Sequence, residues 1–561
     1  MLHASGPLLS VDVGARETTT EDVDDVLASY IGGRGVNARL AHDRIPFDAD
    51  PLGPENRLYL STGPLQQSNM SFTGRMSATG LSPLTSGLAS SNAGGFMSRN
   101  FAETGNAVLE LTGASDDLLA VHVRDDGVRF EEVPELAGAR VSEVTEYMTE
   151  HHDLEAEHIA CIGPAGENEV RFASIMTTES RAFGRAGLGA IMGSKNVKAV
   201  TFRGDDAPDI DVPSVQMDIH REASTSDHIM KRQGTTSVTD LANEMGTFPS
   251  YYFEDVRYED YENINGDQVE KKKYKKGTCS SCAFACKLPT RDEEAGVETE
   301  GPEFETLMAF GGNCDVNDLV EIMRANELCD ELGMDTISCG NTVAAYLASE
   351  DDLGNVDRVH ETVEKIARRE GVGDRLAEGI HRVHDELGVE DWTVKGMSFS
   401  AHDGRTLNGQ GFSFAVANRG ADHMYATMYA WEYPLVDQDE AYDPSGLSEE
   451  KIEEIVRQEN VRALEDCGII CRFSRGMMTP DRFSALLDAD FDDLLDVGAR
   501  VVELERHFNN QRGFDRADDD LPYDLPEFEA HLDVYYDERG WTDEGVVPEP
   551  AADADAAPAD D

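Results

Sequence analysis

From the N-terminus to about residue 203, apolar residues come in short runs broken by Gly, Ser and Pro. LYLSTGPL, GNAVLELTG, LAVHVRD, GVRFEEV, HIACIGPAG and VKAVTFRG alternate or are rich in β-branched side chains, which predicts strands. Few long helical patterns interrupt them. GDDAPDIDVPS, from Gly204, reads as a linker, and beyond it the period changes. In DLVEIMRANELCDELG, Leu319, Ile322 and Met323 fall at i, i+3 and i+4 and Gly333 supplies a stop, which predicts a helix. Further helices are predicted near 357–386, 448–465 and 480–508. VVPEPAADADAAPADD predicts a disordered acidic tail over 546–561. The expected class is α+β: a β-rich domain over 1–203, then mainly helical domains over 211–400 and 401–545.

Composition narrows the setting. Of 561 residues, 40% are hydrophobic and 28% charged, a globular balance with length for several domains. No run of eighteen apolar residues occurs, so no membrane helix is expected. MLHASGPLLSVDV shows no basic region leading into an apolar run, so a cytoplasmic location is expected. Asp and Glu number 110 against 48 Lys and Arg, a net charge of −62 that excludes general binding to nucleic acid. The acids are interleaved with periodic apolar residues, which argues for folded protein rather than disorder. A salt-rich (halophilic) cytoplasm is expected, because a Debye length of about 3 Å at molar salt screens such self-repulsion.

Nine cysteines are present, an odd number that argues against a disulfide framework. CSSCAFAC places Cys279, Cys282 and Cys286 where three thiolates can grip one corner of an inorganic cluster. A four-iron cluster needs a fourth thiolate, for which Cys471 is the candidate and Cys467 the nearby rival. Structural zinc is the alternative, although the second C-x2-C pair usual for a four-cysteine zinc site is missing. Cys161, Cys314, Cys329 and Cys339 read as core residues. KKKYKK, just before Cys279, contains Lys271, Lys272, Lys273, Lys275 and Lys276 and offers either a solvated loop or a landing spot for an acidic electron carrier.

Three segments are dense in Gly beside Arg: IGGRGVN, TGRMSATG through SNAGGFMSRN, and RAFGRAGLGAIMGSKNVKAV. None has P-loop or dinucleotide-turn spacing. Each reads as a tight turn or as one of several loops holding a large phosphate-bearing ligand. Glu303 and Glu305 in GPEFETLMAFGGNCD, and His423 in ANRGADHMYATMY, stand among apolar residues and are acid–base candidates.

Taken in order, GPLQQSNMSFTGRMSATGLSPLTSG, SNAGGFMSRNFAETG, CIGPAGENEVRFASIM, GRAGLGAIMGSKNVKAV, CSSCAFAC, EGPEFET, CDELGMDTIS, ANRGADH and DCGIICRF resemble the aldehyde:ferredoxin oxidoreductases, over residues 7 to 543. The resemblance implies an N-terminal β-sheet base for a tungsten (or molybdenum) bis-pterin, closed over by two helical domains. It implies a [4Fe-4S] cluster on Cys279, Cys282, Cys286 and Cys471, with Arg75 between cluster and pterin. It also implies Mg2+ on Asn92 and the Ala186 carbonyl, bridging the pterin phosphates, with Gly94, Gly95, Arg185 and Gly187 nearby. Asp330, Gly333, Met334 and Asp335 would serve one pterin, and Asp466, Ile470 and Cys471 the other, with Ile469 standing where the second motif has Gly. Glu305 and His423 would be catalytic. HDGRTLNGQG departs from the family's DPRG-like version. The implied reaction oxidises a small aldehyde and passes electrons to ferredoxin, from a chain able to form homo-oligomers. Two alternatives stay open: reduction of carboxylic acids or aromatic acyl thioesters with the same cofactors, and a zinc-binding structural protein.

Overall fold

The computed structural model describes residues 1–548 except 179, 437, 438 and 475, so most of the predicted tail lies outside the described residues. Two six-stranded sheets form the N-terminal part. The first runs Glu17–Glu21, Leu8–Asp12, Val108–Thr112, Leu58–Ser61, Met76–Leu81, Leu88–Ala93. The second runs Arg181–Phe183, Ile175–Thr177, Ile159–Cys161, Val197–Phe202, Leu119–Arg124, Gly127–Glu132. Each contains one parallel pair and is otherwise antiparallel.

Alternation along the strands makes the layers. Leu58, Leu60, Leu109 and Leu111 of the first sheet meet Leu119, Val121, Val123, Val200 and Phe202 of the second in one buried cluster. Tyr59 and Val108 point the other way, onto Val36 and Leu40 of helix Gly33–Arg44. Ala120 and Ala199 turn outward onto Val144 and Met148 of helix Val141–His151. All six predicted strands form. Met76–Leu81 (MSATGL) and Leu88–Ala93 (LASSNA) were not foreseen. They are almost wholly buried and built of small residues, so covering both faces erases the alternation.

The predicted helix ends at Leu332, with Gly333 at φ 75° as its stop. The 357–386 pattern divides into Val356–Arg368, Val372–Leu376 and Ile380–Leu387, because Gly371 and Gly379 take positive φ between them. The last pattern divides at Asp488 into Pro480–Leu487 and Phe491–Gln511. One helical core gathers Ile322, Val343, Val363 and Ile380. The other gathers Ile455, Leu464, Val501 and Tyr535, joined by Ile219 and Ala223 of helix Val215–Thr225. That early helix therefore packs with the C-terminal ones. No helix among the described residues is long and apolar enough to cross a membrane.

In the second helical core, fully buried Asp519 lies 2.7 Å from Lys395 Nζ and 2.8 Å from Arg506 Nη2, both cations also buried. Asp519→Ala would strand two positive charges in the interior. It is expected to destabilise the protein by about 3–5 kcal/mol, read as a lower midpoint in denaturant followed by circular dichroism.

Candidate active site

Two neighbouring cavities lie in the interior, and Arg75 lines both. The smaller is walled by Cys279, Cys282, Cys286 and Cys471, with Phe72, Phe473 and Lys287 around them. The four sulfurs thus meet across nearly two hundred residues of sequence. Cys467 does not line this cavity: the residue is fully buried against Gly35, where a Cβ would lie 2.7 Å from its Sγ. Arg75 donates to Cys471 Sγ at 3.2 Å and to the Asn92 carbonyl at 3.4 Å. Burial raises the Cys279 thiol, but Lys287, Arg181 and Arg75 outweigh it and hold the group below its ordinary range. Gly74 and Gly94 allow the approach, since a Cβ on either would press on Cys279. The nine cysteines form no disulfide, and Cys161, Cys314, Cys329 and Cys339 are buried in the core.

The larger cavity, about 220 Å³, is lined by Arg75, Arg185, Arg419 and Arg472 against only two carboxylates, Asp422 and Asp466. In so acidic a chain, four guanidiniums around one space mark a site for an anion. Asp422 sits 2.7 Å from Arg419 and 3.4 Å from Arg185. Asp466 sits 2.7 Å from Arg472 and accepts from Asn92 Nδ2. Yet Asn92 Oδ1, Arg419 Nε, Arg472 Nε, His423 Nδ1 and the Tyr425 hydroxyl are buried with no partner among the described residues. Buried polar groups of this kind call for a partner, and all five residues line this cavity. Arg419, Arg472 and Tyr425 were not singled out from sequence, although each flanks a motif residue.

Other expected residues stand further back. Ala186 and Gly187 both take positive φ and do not line the cavity, and the Ala186 carbonyl accepts from Ser82 Oγ at 2.8 Å. Gly95, also at positive φ, gives its carbonyl to the Ser280 N–H. Asp330 lies in the last turn of helix Leu319–Leu332, and Gly333, Met334 and Asp335 form the tight link to helix Thr336–Ser349. Asp335 caps the second helix through Ile337 and Ser338 N–H and lies 3.3 Å from Arg185. Burial drives the Asp330 carboxyl up to about 8 against the pull of Arg181. In the second motif Ile470 lines the cavity, and Ile469 adopts φ 56° where glycine would be at ease. The turn survives the substitution at a strain of about 1–3 kcal/mol. Gly63 makes room, since a Cβ there would meet Ile469 Cγ1 at 2.7 Å.

IGGRGVN proves architectural. It opens helix Gly33–Arg44, where a Cβ on Gly33 would collide with the Asp466 carbonyl at 2.1 Å. Much of the third segment is architectural too, because Gly189 and Gly193 pack on the Ser174 and Gly166 carbonyls.

Glu305 lies in a short helix, Phe304–Thr306, that continues as π-helix Leu307–Asn313, an irregularity frequent at functional sites. Its Oε1 is 3.4 Å from His423 Nε2 and 3.7 Å from His402 Nε2, while Oε2 accepts from the Ala401 N–H at 2.7 Å. His423 borders the large cavity, and Glu305, 14% exposed, stands behind it without lining that cavity. Burial pushes the Glu305 carboxyl above its usual range, opposed by His423, the Ala401 N–H and Arg185. Glu303 points elsewhere, accepting from Thr235 Oγ1. His402, from the divergent HDGR segment, was not foreseen. It stacks on Tyr429 with centroids 3.8 Å apart and shares a 3.1 Å hydrogen bond with the Tyr433 hydroxyl.

Comparison with known proteins gives this arrangement its class: the chain is an oxidoreductase. Residues 8–204 match the sequence model of the aldehyde ferredoxin oxidoreductase N-terminal domain, and residues 214–553 that of its domains 2 and 3. The chain belongs to the aldehyde ferredoxin oxidoreductase family. It is 32% identical to the tungsten-containing aldehyde ferredoxin oxidoreductase of Pyrococcus furiosus, covering 97% of each chain. It is 33% identical to that of Thermococcus kodakarensis, covering 98% of each. Among solved structures, the active-site complex BamBC of benzoyl coenzyme A reductase shares the fold, with a TM-score of 0.83 at 22% identity over 97% of this chain and 96% of that one.

Proposed function

We propose that the chain converts a small aldehyde to its acid, RCHO + H2O → RCOOH + 2e⁻ + 2H⁺. The reaction would take place at a tungsten (or molybdenum) bis-pterin in the larger cavity, with a [4Fe-4S] cluster passing electrons to ferredoxin. The observation that carries this reading is Arg75, which walls both an arginine-rich cavity and a four-cysteine one. The donors fit. Four sulfurs around one cavity suit a multi-iron cage, and the second C-x2-C pair usual for a four-cysteine zinc site is missing. Arg185, Arg419 and Arg472 suit phosphates, and the unpartnered Asn92 Oδ1 suits Mg2+. The Ala186 carbonyl has a second lone pair beyond its bond to Ser82. Asp330, Gly333, Met334 and Asp335 would support one pterin; Gly94, Gly95, Asp466, Ile470 and Cys471 would support the other and its link to the cluster.

When bound, the pterin metal supplies a two-electron acceptor and the cluster a one-electron relay. The chain manages protons and orientation. Glu305, with its raised pKa, takes the proton of the attacking water. His423, on the cavity wall, donates to the carbonyl oxygen as charge develops. His402 positions Glu305 from its other side, fixed by Tyr429 and Tyr433.

Anaerobically purified protein should reduce a viologen dye with an aldehyde and contain about four irons and a tungsten or molybdenum per chain. A colourless zinc protein, or one inert to a broad aldehyde panel, overturns the reading. Dye oxidation driven by a carboxylic acid or an aromatic acyl thioester alone would favour the reductive alternative.

The lysine segment is only partly available. Lys272 is paired with Asp292 and Lys273 donates to the Lys231 carbonyl, whereas Lys271, Lys275 and Lys276 are exposed. Changing these three to Gln is expected to raise the KM for ferredoxin several-fold at low salt and leave it unchanged at high salt. Steady-state assays with ferredoxin at two ionic strengths check this.

A further inference from the structure

We propose that His122, Glu131 and His152 form a binding site for a borderline first-row divalent cation, zinc above all, on the outer face of the second sheet. None of the three lines either cavity. The strand period puts them together. In Leu119–Arg124 the odd positions enter the core between the sheets, so His122 faces outward beside Thr201, its register partner. Glu131 comes from the next strand of the same hairpin, two positions along the ladder from the His122 pairing. His152 follows directly on helix Val141–His151, which lies over this face.

The geometry is that of a tridentate face. Both imidazole Nε2 atoms lie 2.9 Å from the same Glu131 Oε2, and the three ligand atoms lie within 4.8 Å of one another. The two rings sit 4.4 Å apart, tilted by 40°. On His122 and Glu131 the other polar atom has a neighbour of the kind that fixes metal ligands. His122 Nδ1 meets Thr201 Oγ1 at 2.9 Å, and the Tyr147 hydroxyl, 2.8 Å from Glu135 Oε1, lies 3.3 Å from Glu131 Oε1. Exposure is graded: His122 is 5% exposed, Glu131 30% and His152 27%. One side of the triad is therefore anchored and the other open, leaving the fourth position of a tetrahedral ion to water. Two nitrogens and one oxygen select zinc, cobalt or nickel over calcium or magnesium, which require mostly oxygen donors. A bound ion would clip the Leu119–Glu132 hairpin to the end of the helix above it.

The test uses the holoenzyme and needs no activity. Wild type, His152→Gln and Glu131→Gln are equilibrated by dialysis with low-micromolar Zn2+, and bound metals are measured by mass spectrometry. Wild type is expected to hold about one zinc more per chain than either variant, with iron and tungsten unchanged among the three. Zn2+ should raise the Tm of wild type by several degrees, should leave the variants unmoved, and should not be replaceable by Ca2+. Equal zinc in all three proteins overturns the site, whatever the aldehyde assay returns. His152 is partly exposed beyond a helix end, so its replacement opens no core; loss of zinc in Glu131→Gln alone would overturn the histidine pair.

Discussion

Glu305→Gln is expected to lower aldehyde-dependent dye reduction by about 10²-fold or more, roughly 2.7 kcal/mol in the barrier, while iron and tungsten contents stay at wild-type levels. Glutamine fills the same volume and its carbonyl oxygen still accepts from the Ala401 N–H, so the fold should hold. What disappears is a base beside His423 Nε2, 3.4 Å away. The pH profile gives an independent check. Burial raises the Glu305 pKa, and the working form of a general base is the carboxylate. The wild-type rate should therefore climb with pH through that raised pKa and level off above it. The variant should lack this limb. Turnover near wild type, or an unchanged limb, removes Glu305 from the chemistry.

The second large effect concerns the fourth sulfur. Cys471→Ser is expected to lose most of the bound iron, bleach the brown absorption and reduce dye reduction to background. Cys467→Ser, only four residues earlier, should retain all three properties. Cys471 lines the cavity with Cys279, Cys282 and Cys286 and accepts from Arg75, whereas Cys467 packs against Gly35 in a helix contact. Iron analysis and visible spectra of the two variants decide it, and the reverse pattern would move the ligand to Cys467. A serine oxygen is a poor substitute for thiolate in a cluster. Loss of this ligand should therefore remove the electron exit and leave the aldehyde site's protein groups in place.

Much of this was readable in the chain. Strands such as Val108–Thr112 and Val197–Phe202 carry their own alternation, and helix Leu319–Leu332 carries its stripe and its glycine stop. The Cys279–Cys286 triplet announces itself because its ligands are neighbours in sequence. Strands Met76–Leu81 and Leu88–Ala93 stayed hidden because small residues buried on both faces leave no period to read. IGGRGVN left two readings open for a related reason. A glycine signals that something comes close, but not whether that is a phosphate or the Asp466 carbonyl.

The same division separates His402 from His423. His423 lies in a motif whose residues matched a family pattern, while His402 lies where this chain departs from it, and only packing against Tyr429 and Tyr433 brings it within 3.7 Å of Glu305. What the sequence alone determined is local: the two structural periods, the C-x2-C-x3-C triplet, the acidic balance and the motifs that mark the family. The tertiary structure alone decided that Arg75 reaches Cys471, 396 residues away, and that four arginines face one cavity. It also decided that two histidines flank one buried carboxylate. Periodicity follows from backbone geometry and is written residue by residue, whereas such convergences follow from how packed elements exclude water, which no short stretch of chain encodes.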